Sequence, residues 1–198
     1  MKYRNKNIQI QISIVFPILT IIGLGYFFAF SSFYQASWLY NWNGIRKCIK
    51  DSIRIYEYRP ISSGFFINNI AIKEEVKTRK WIIKEATVKE LERLTEYPNG
   101  NVKAIAYEGL IRREKYNHKK ELILNAIKDT IYPVYYQTGC CENLCFNINE
   151  YIVHYILIID PKIPKPANEN EFVKDIGLTE LDKNEILIEF YKSPKRVY

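Results

Sequence analysis

No charged residue stands between Lys6 and Arg46, and the middle of that stretch, Ile12 to Tyr34, reads ISIVFPILTIIGLGYFFAFSSFY. A helix needs about 20 apolar residues to cross the hydrocarbon core of a bilayer, so residues 12–34 have the length of a transmembrane anchor. Tyr34, Trp38, Tyr40 and Trp42 follow in the manner of an interfacial aromatic belt. Pro17, Gly23 and Gly25 are awkward in a soluble helix but better tolerated in a membrane one. The basic start and the small residues Ala29 and Ser31 also fit a cleaved secretory signal, although the run exceeds the roughly 7–15 residues usual there. A retained anchor is the favoured expectation. Lys2, Arg4 and Lys6 lie closer to the run than Arg46, Lys47, Lys50 and Arg54 do. By the positive-inside rule this places the N-terminus in the cytoplasm, with the chain in the inner membrane as a single-pass protein and its body on the extracytoplasmic side.

The charge balance, 29 Lys plus Arg against 22 Asp plus Glu, leaves a surplus of +7. Three of those charges belong to Lys2, Arg4 and Lys6, and three more accumulate between Arg46 and Arg59. Both clusters flank the apolar run, so anionic headgroups, worth about 1 kcal/mol per basic residue at the surface, explain them more economically than nucleic acid does. Only 8 Gly and 8 Pro occur in 198 residues. That argues against a glycine-rich nucleotide-binding enzyme and against a turn-dense β-sandwich.

Helical periodicity dominates the remainder. Ile45, Cys48, Ile49, Ser52, Ile53 and Tyr56 recur at spacings of three and four, which predicts one amphipathic helix whose simplest role is docking on the domain. Residues 59–64 supply a break and residues 65–71 are ambiguous. Ile72, Val76, Arg79 and residues 81–83 suggest a short helix. Thr87 followed by Glu90 forms a capping-box pattern, and Pro98-Asn99-Gly100 ends that helix in a turn. A second helix then starts near Asn101. Asn117 is expected to cap a helix bearing Leu122, Ile123, Ala126 and Ile127. Asn147 with Glu150 marks a helix through residues 151–159, favoured by its cap and length over the buried strand that the β-branched and aromatic run YIVHYILII also fits, and Asp182 with Glu185 marks a last helix over residues 178–191.

Leu91, Leu94, Pro98, Asn99, Val102, Lys103, Ala106 and Leu110 together resemble a HEAT repeat. The resemblance covers about 28 residues and extends, through weaker units, over residues 86–160. It is shared with bacterial proteins that carry HEAT-like units behind a membrane-targeting segment. It implies an all-α fold: an N-terminal transmembrane helix followed by a short α-solenoid of antiparallel helix pairs. The organisation expected is a basic segment (1–11), the anchor (12–34), membrane-proximal helices and a loop (35–85), the HEAT-like domain (86–160), a proline-containing linker (161–177) and a C-terminal helix (178–198). HEAT-like proteins are mostly scaffolds and adaptors, so the resemblance implies another protein as the partner. The face expected to serve it is the outer side of the second repeat helix, Lys103, Tyr107, Glu108, Arg112 and Arg113.

Chemistry-bearing patterns are sparse. Cys140, Cys141 and Cys145 crowd together, but their spacing fits no standard zinc pattern. In an oxidising compartment Cys145 is expected to pair with Cys140 or Cys141, while plain loop cysteines remain the alternative. His118 sits in a basic polar string, and His154 in an apolar segment where packing is the simpler role. No phosphate loop, zinc-protease helix or calcium loop occurs, so neither enzyme activity nor a cofactor or metal is expected. Two rival readings stay open: an exported thiol enzyme or disulfide-stabilised envelope protein, and a small membrane-associated immunity or stress factor.

Overall fold

A computed structural model describes residues 15–27, 37–63, 70–137, 143–163 and 176–193. The chain divides into two units, Met1–Tyr40 and Asn41–Tyr198. In the first unit, residues 15–27 form helix α1 and Ser37–Leu39 a 3-10 turn.

The second unit begins with α2 (Lys47–Ile53), which tightens into a 3-10 turn at Arg54–Glu57. Ile45, Ile49, Ile53 and Tyr56 are buried while Cys48 is exposed, so the segment docks through its apolar face as its periodicity requires. A two-residue strand β1 (Ile61–Ser62) precedes α3 (Ile70–Glu85). Helix α4 (Val88–Leu94) opens on the expected capping box: the Glu90 N–H donates to Thr87 Oγ1 and the Thr87 N–H to Glu90 Oε2. The turn at Pro98 then leads into α5 (Gly100–Ile111), where Asn99 Oδ1 accepts from the Asn101 and Val102 N–H groups. The chain continues through α6 (Lys119–Ile127), β2 (Val134–Gln137), β3 (Asn143–Phe146) and α7 (Ile148–Tyr151). α7 widens into a π turn over Ile152–Ile156, and α8 (Glu180–Lys192) is the last helix.

Every residue of α5 is buried. α3, α4, α6, α7, β2 and the 3-10 turn after α2 all pack on it. Small residues permit this crowding. A Cβ on Gly109 would lie 2.9 Å from Leu91 Cδ1, and one on Gly100 would lie 2.0 Å from the Pro133 carbonyl oxygen. The 130–133 segment therefore presses directly on the start of the central helix.

The sheet order is β1-β2-β3, with β1 parallel and β3 antiparallel to β2. Tyr136 pairs with Ile61 on one side and Leu144 on the other, and Tyr135 lies opposite Cys145. Val134 and Tyr136 are buried and Tyr135 is exposed, the alternation of a half-buried sheet.

Three expectations are corrected. The fold is not an all-α solenoid of helix pairs. Residues 134–137 and 143–146 form strands because Val134 and Tyr136 share one apolar face and extend β1 into a sheet, and α5 is a central helix enclosed on several sides. Nor is any helix among the described residues long and apolar enough to cross a membrane. Within the expected anchor, α1 covers 15–27, about 20 Å of helix against a hydrocarbon core of about 30 Å; residues 12–14 and 28–34 lie outside those described. That finding overturns the transmembrane helix and the single-pass inner-membrane location. Finally, α8 is capped by Thr179 with Asp182, not Asp182 with Glu185, because the Thr179 hydroxyl accepts the Asp182 N–H.

Candidate functional site

The five residues expected on an outer helix face lie within or against the core. Lys103, Tyr107 and Glu108 are buried, and Arg112 and Arg113 are half-buried. Each has an internal task. The Lys103 ammonium donates to Asp129 Oδ2 and sits 4.9 Å from the centre of the Tyr132 ring. Burial, with help from Asp129 and Glu96, pushes the Tyr107 phenol up to about 12. Arg113 Nη2 donates to the carbonyls of Ile83, Lys84 and Ala86 and so closes the C-terminal end of α3. These residues brace α5 and do not form an open docking face, because neighbouring elements cover the helix all round.

Glu108 is the centre of an ionic network. Its Oε2 lies 3.0 Å from Arg79 Nη1 and its Oε1 2.8 Å from Arg112 Nε. The Tyr151 hydroxyl donates to the same carboxylate at 3.3 Å. Arg79 also reaches Glu75 Oε1 at 3.2 Å and the Ser62 carbonyl at 2.8 Å. Glu75 in turn accepts the Ser62 N–H, and its carbonyl accepts the Tyr56 hydroxyl. Burial opposes ionising both carboxyls. Arg79 and Arg112 outweigh that for Glu108 and hold it below the usual carboxylate range, whereas burial prevails at Glu75 and leaves it above. The network ties β1, α3, α5 and α7 together.

A second polar cluster joins the π turn to α8. His154 Nε2 lies 3.1 Å from Asp160 Oδ2, and Asp160 Oδ1 accepts the Tyr191 hydroxyl at 2.6 Å and the Lys162 N–H at 2.9 Å. Burial would raise the Asp160 carboxyl, but these donors together hold it below its ordinary range. Between them Ile158 has φ +53°, a costly conformation for a β-branched residue. His154 also packs edge-on against Phe190, which gives it the packing role its apolar setting suggested. His118 is exposed just before α6.

Cys140 and Cys141, and with them the expected pairing to Cys145, lie outside the described residues. Cys145 is half-exposed on β3 opposite Tyr135.

Sequence reasoning did not anticipate the fastening around Asn101. One side-chain amide joins two segments: Asn101 Nδ2 donates to the Arg59 carbonyl at 2.8 Å, and its Oδ1 accepts the Tyr135 N–H at 2.7 Å. Asn99 Nδ2 donates to the Glu57 carbonyl, and the Tyr97 hydroxyl to the Glu57 carboxylate at 2.6 Å. The segments fastened in this way expose Tyr58 (83%), Ile131 (55%) and Tyr135 (50%). No periodic signal marks them, because the contacts join residues 34 to 42 positions apart.

Neither a known protein family nor a curated protein nor a solved structure matches this chain. The HEAT-like resemblance therefore rests on the residues quoted for it alone.

Proposed function

We propose that the 41–198 unit is a protein-binding module of the scaffold or adaptor kind. The observation that carries this reading is the Asn101 fastening, which holds exposed Tyr58, Ile131 and Tyr135 on two segments anchored to the buried α5. Tyrosines are effective interface anchors because they bury a large ring at small cost in side-chain freedom. A braced backbone lowers the ordering cost of binding further. A photo-crosslinking residue placed at Tyr58 or at Tyr135, in the full chain in its native cells, is expected to capture the same protein from both positions. The same residue at exposed Glu180 should not capture it. Absence of a shared adduct from positions 58 and 135, with the protein folded, would overturn the reading.

A further inference from the structure

Within the cluster from Arg46 to Arg59, several basic side chains are already engaged. Arg46 is paired with Glu90, Arg54 with Glu57, and Lys50 lies over the Trp42 ring. On α3, by contrast, Lys73, Lys77, Lys80 and Lys84 are all exposed, and none forms an ion pair among the described residues. Their spacings of four, three and four residues place them within a sector of about 60° and along about 16 Å of one helix. Ile70, 76% exposed, and Trp81, 40% exposed, run along one edge of this stripe. The exposed acids Glu74 and Glu85 fall beyond that edge. Ile72, Glu75 and Ile82 are buried on the opposite side, so the stripe is held outward by the packing of α3.

We infer that the α3 stripe docks an acidic amphipathic helix of a partner protein. Charge complementarity selects an anionic occupant, two further observations favour a helix, and a third disfavours nucleic acid. The lysine spacing repeats the four-and-three interval at which another helix presents one face. The apolar Ile70 and Trp81 border the charges as they would border a charged flank of a helix–helix seam. The surface is a convex ridge with one aromatic side chain, whereas single-stranded nucleic acid is taken up by basic grooves lined with several stacking rings. The inference rests on the reading of this unit as a protein-binding module but uses a different face, so each can fail alone.

The test is fluorescence anisotropy of two labelled probes titrated with the full chain. One is a helical peptide of about 20 residues with glutamates at spacings of four, three and four beside a leucine edge; the other is a thymidine oligonucleotide of equal charge. The peptide should bind in a salt-sensitive manner, and K73Q/K77Q/K80Q/K84Q should weaken it about 10- to 100-fold. Binding should shift the fluorescence of Trp81 and should persist in Y58A/Y135A. Unchanged affinity in the quadruple variant, with wild-type melting, would overturn the inference. Equal binding of a peptide of the same composition broken by prolines would remove the helix from it, and tighter binding of the oligonucleotide would replace the protein partner by nucleic acid.

Discussion

Arg79 and Glu108 meet at 3.0 Å in the interior, the guanidinium coming from α3 and the carboxylate from α5. Both side chains are largely shielded from water, at 12% and 7% exposure. Removing one partner therefore strands the other charge. Arg79→Met should destabilise the protein by about 3–5 kcal/mol in urea unfolding at neutral pH. A loss below about 1 kcal/mol would show that the network relaxes around the missing cation.

The two glycines of α5 should respond differently to alanine. Gly109→Ala meets the end of the Leu91 side chain, which can shift, and should cost about 1–3 kcal/mol. Gly100→Ala meets the Pro133 backbone carbonyl, which cannot move without carrying the segment before β2 with it, and should cost about 3 kcal/mol or more. Helix propensity alone favours alanine at both positions, so the sign of the measured effect separates packing from propensity.

Glu90 links the start of α4 to Arg46, with Oε1 and Oε2 each 2.9 Å from the guanidinium. Burial would raise its carboxyl, but Arg46 and the Thr87 N–H hold it down at about 2. A carboxyl lowered in the folded state stabilises above its ordinary value, and that contribution is lost as pH falls. Glu90→Gln should lower stability by about 1–2 kcal/mol at pH 7. The difference from wild type should shrink between about pH 4.5 and pH 2. A difference independent of pH would assign the effect to packing.

Asp160 gathers His154, Tyr191 and the Lys162 N–H onto one carboxylate. Asp160→Asn removes the charge with little change of shape and should cost about 1–3 kcal/mol. Amide exchange should accelerate in the last turns of α8, which Tyr191 anchors. Because the Asp160 carboxyl is lowered, the same acceleration should arise in the wild type as acid protonates it. Unaltered exchange in both cases would mean that Ile186 and Phe190, both buried, suffice to hold α8.

Local signals were legible where neighbouring residues satisfy one another. The Thr87-Glu90 box, the turn at Pro98 and the apolar spacing from Ile45 to Tyr56 each reappear in the structure. The helix after Asn147 is marked by its cap in the same way, though its π turn, where the Leu157 N–H donates back to the Ile152 carbonyl at 2.8 Å, is not. The lysine stripe on α3 stands in the sequence at spacings of four, three and four, and Lys73, Lys77 and Lys80 fall within the short helix expected there, but lysine spacing alone does not say which charges the fold leaves unpaired. Asn101 carried no signal, since a side chain that joins residues 59 and 135 looks in sequence like any polar residue in a first turn.

The sequence by itself determined the helical segments and their caps, because those depend on groups within one or two turns of each other. Tertiary structure decided which helix faces remain open. Lys103, Tyr107 and Glu108 have the polarity of a surface, yet they are buried once Asp129, Arg79 and the 130–133 segment close around α5. Burial of an ion depends on partners supplied from distant parts of the chain, and no local pattern encodes their arrival. The same rule explains the sheet: β1 is two residues long and becomes a strand only because β2, more than 70 positions later, lies beside it.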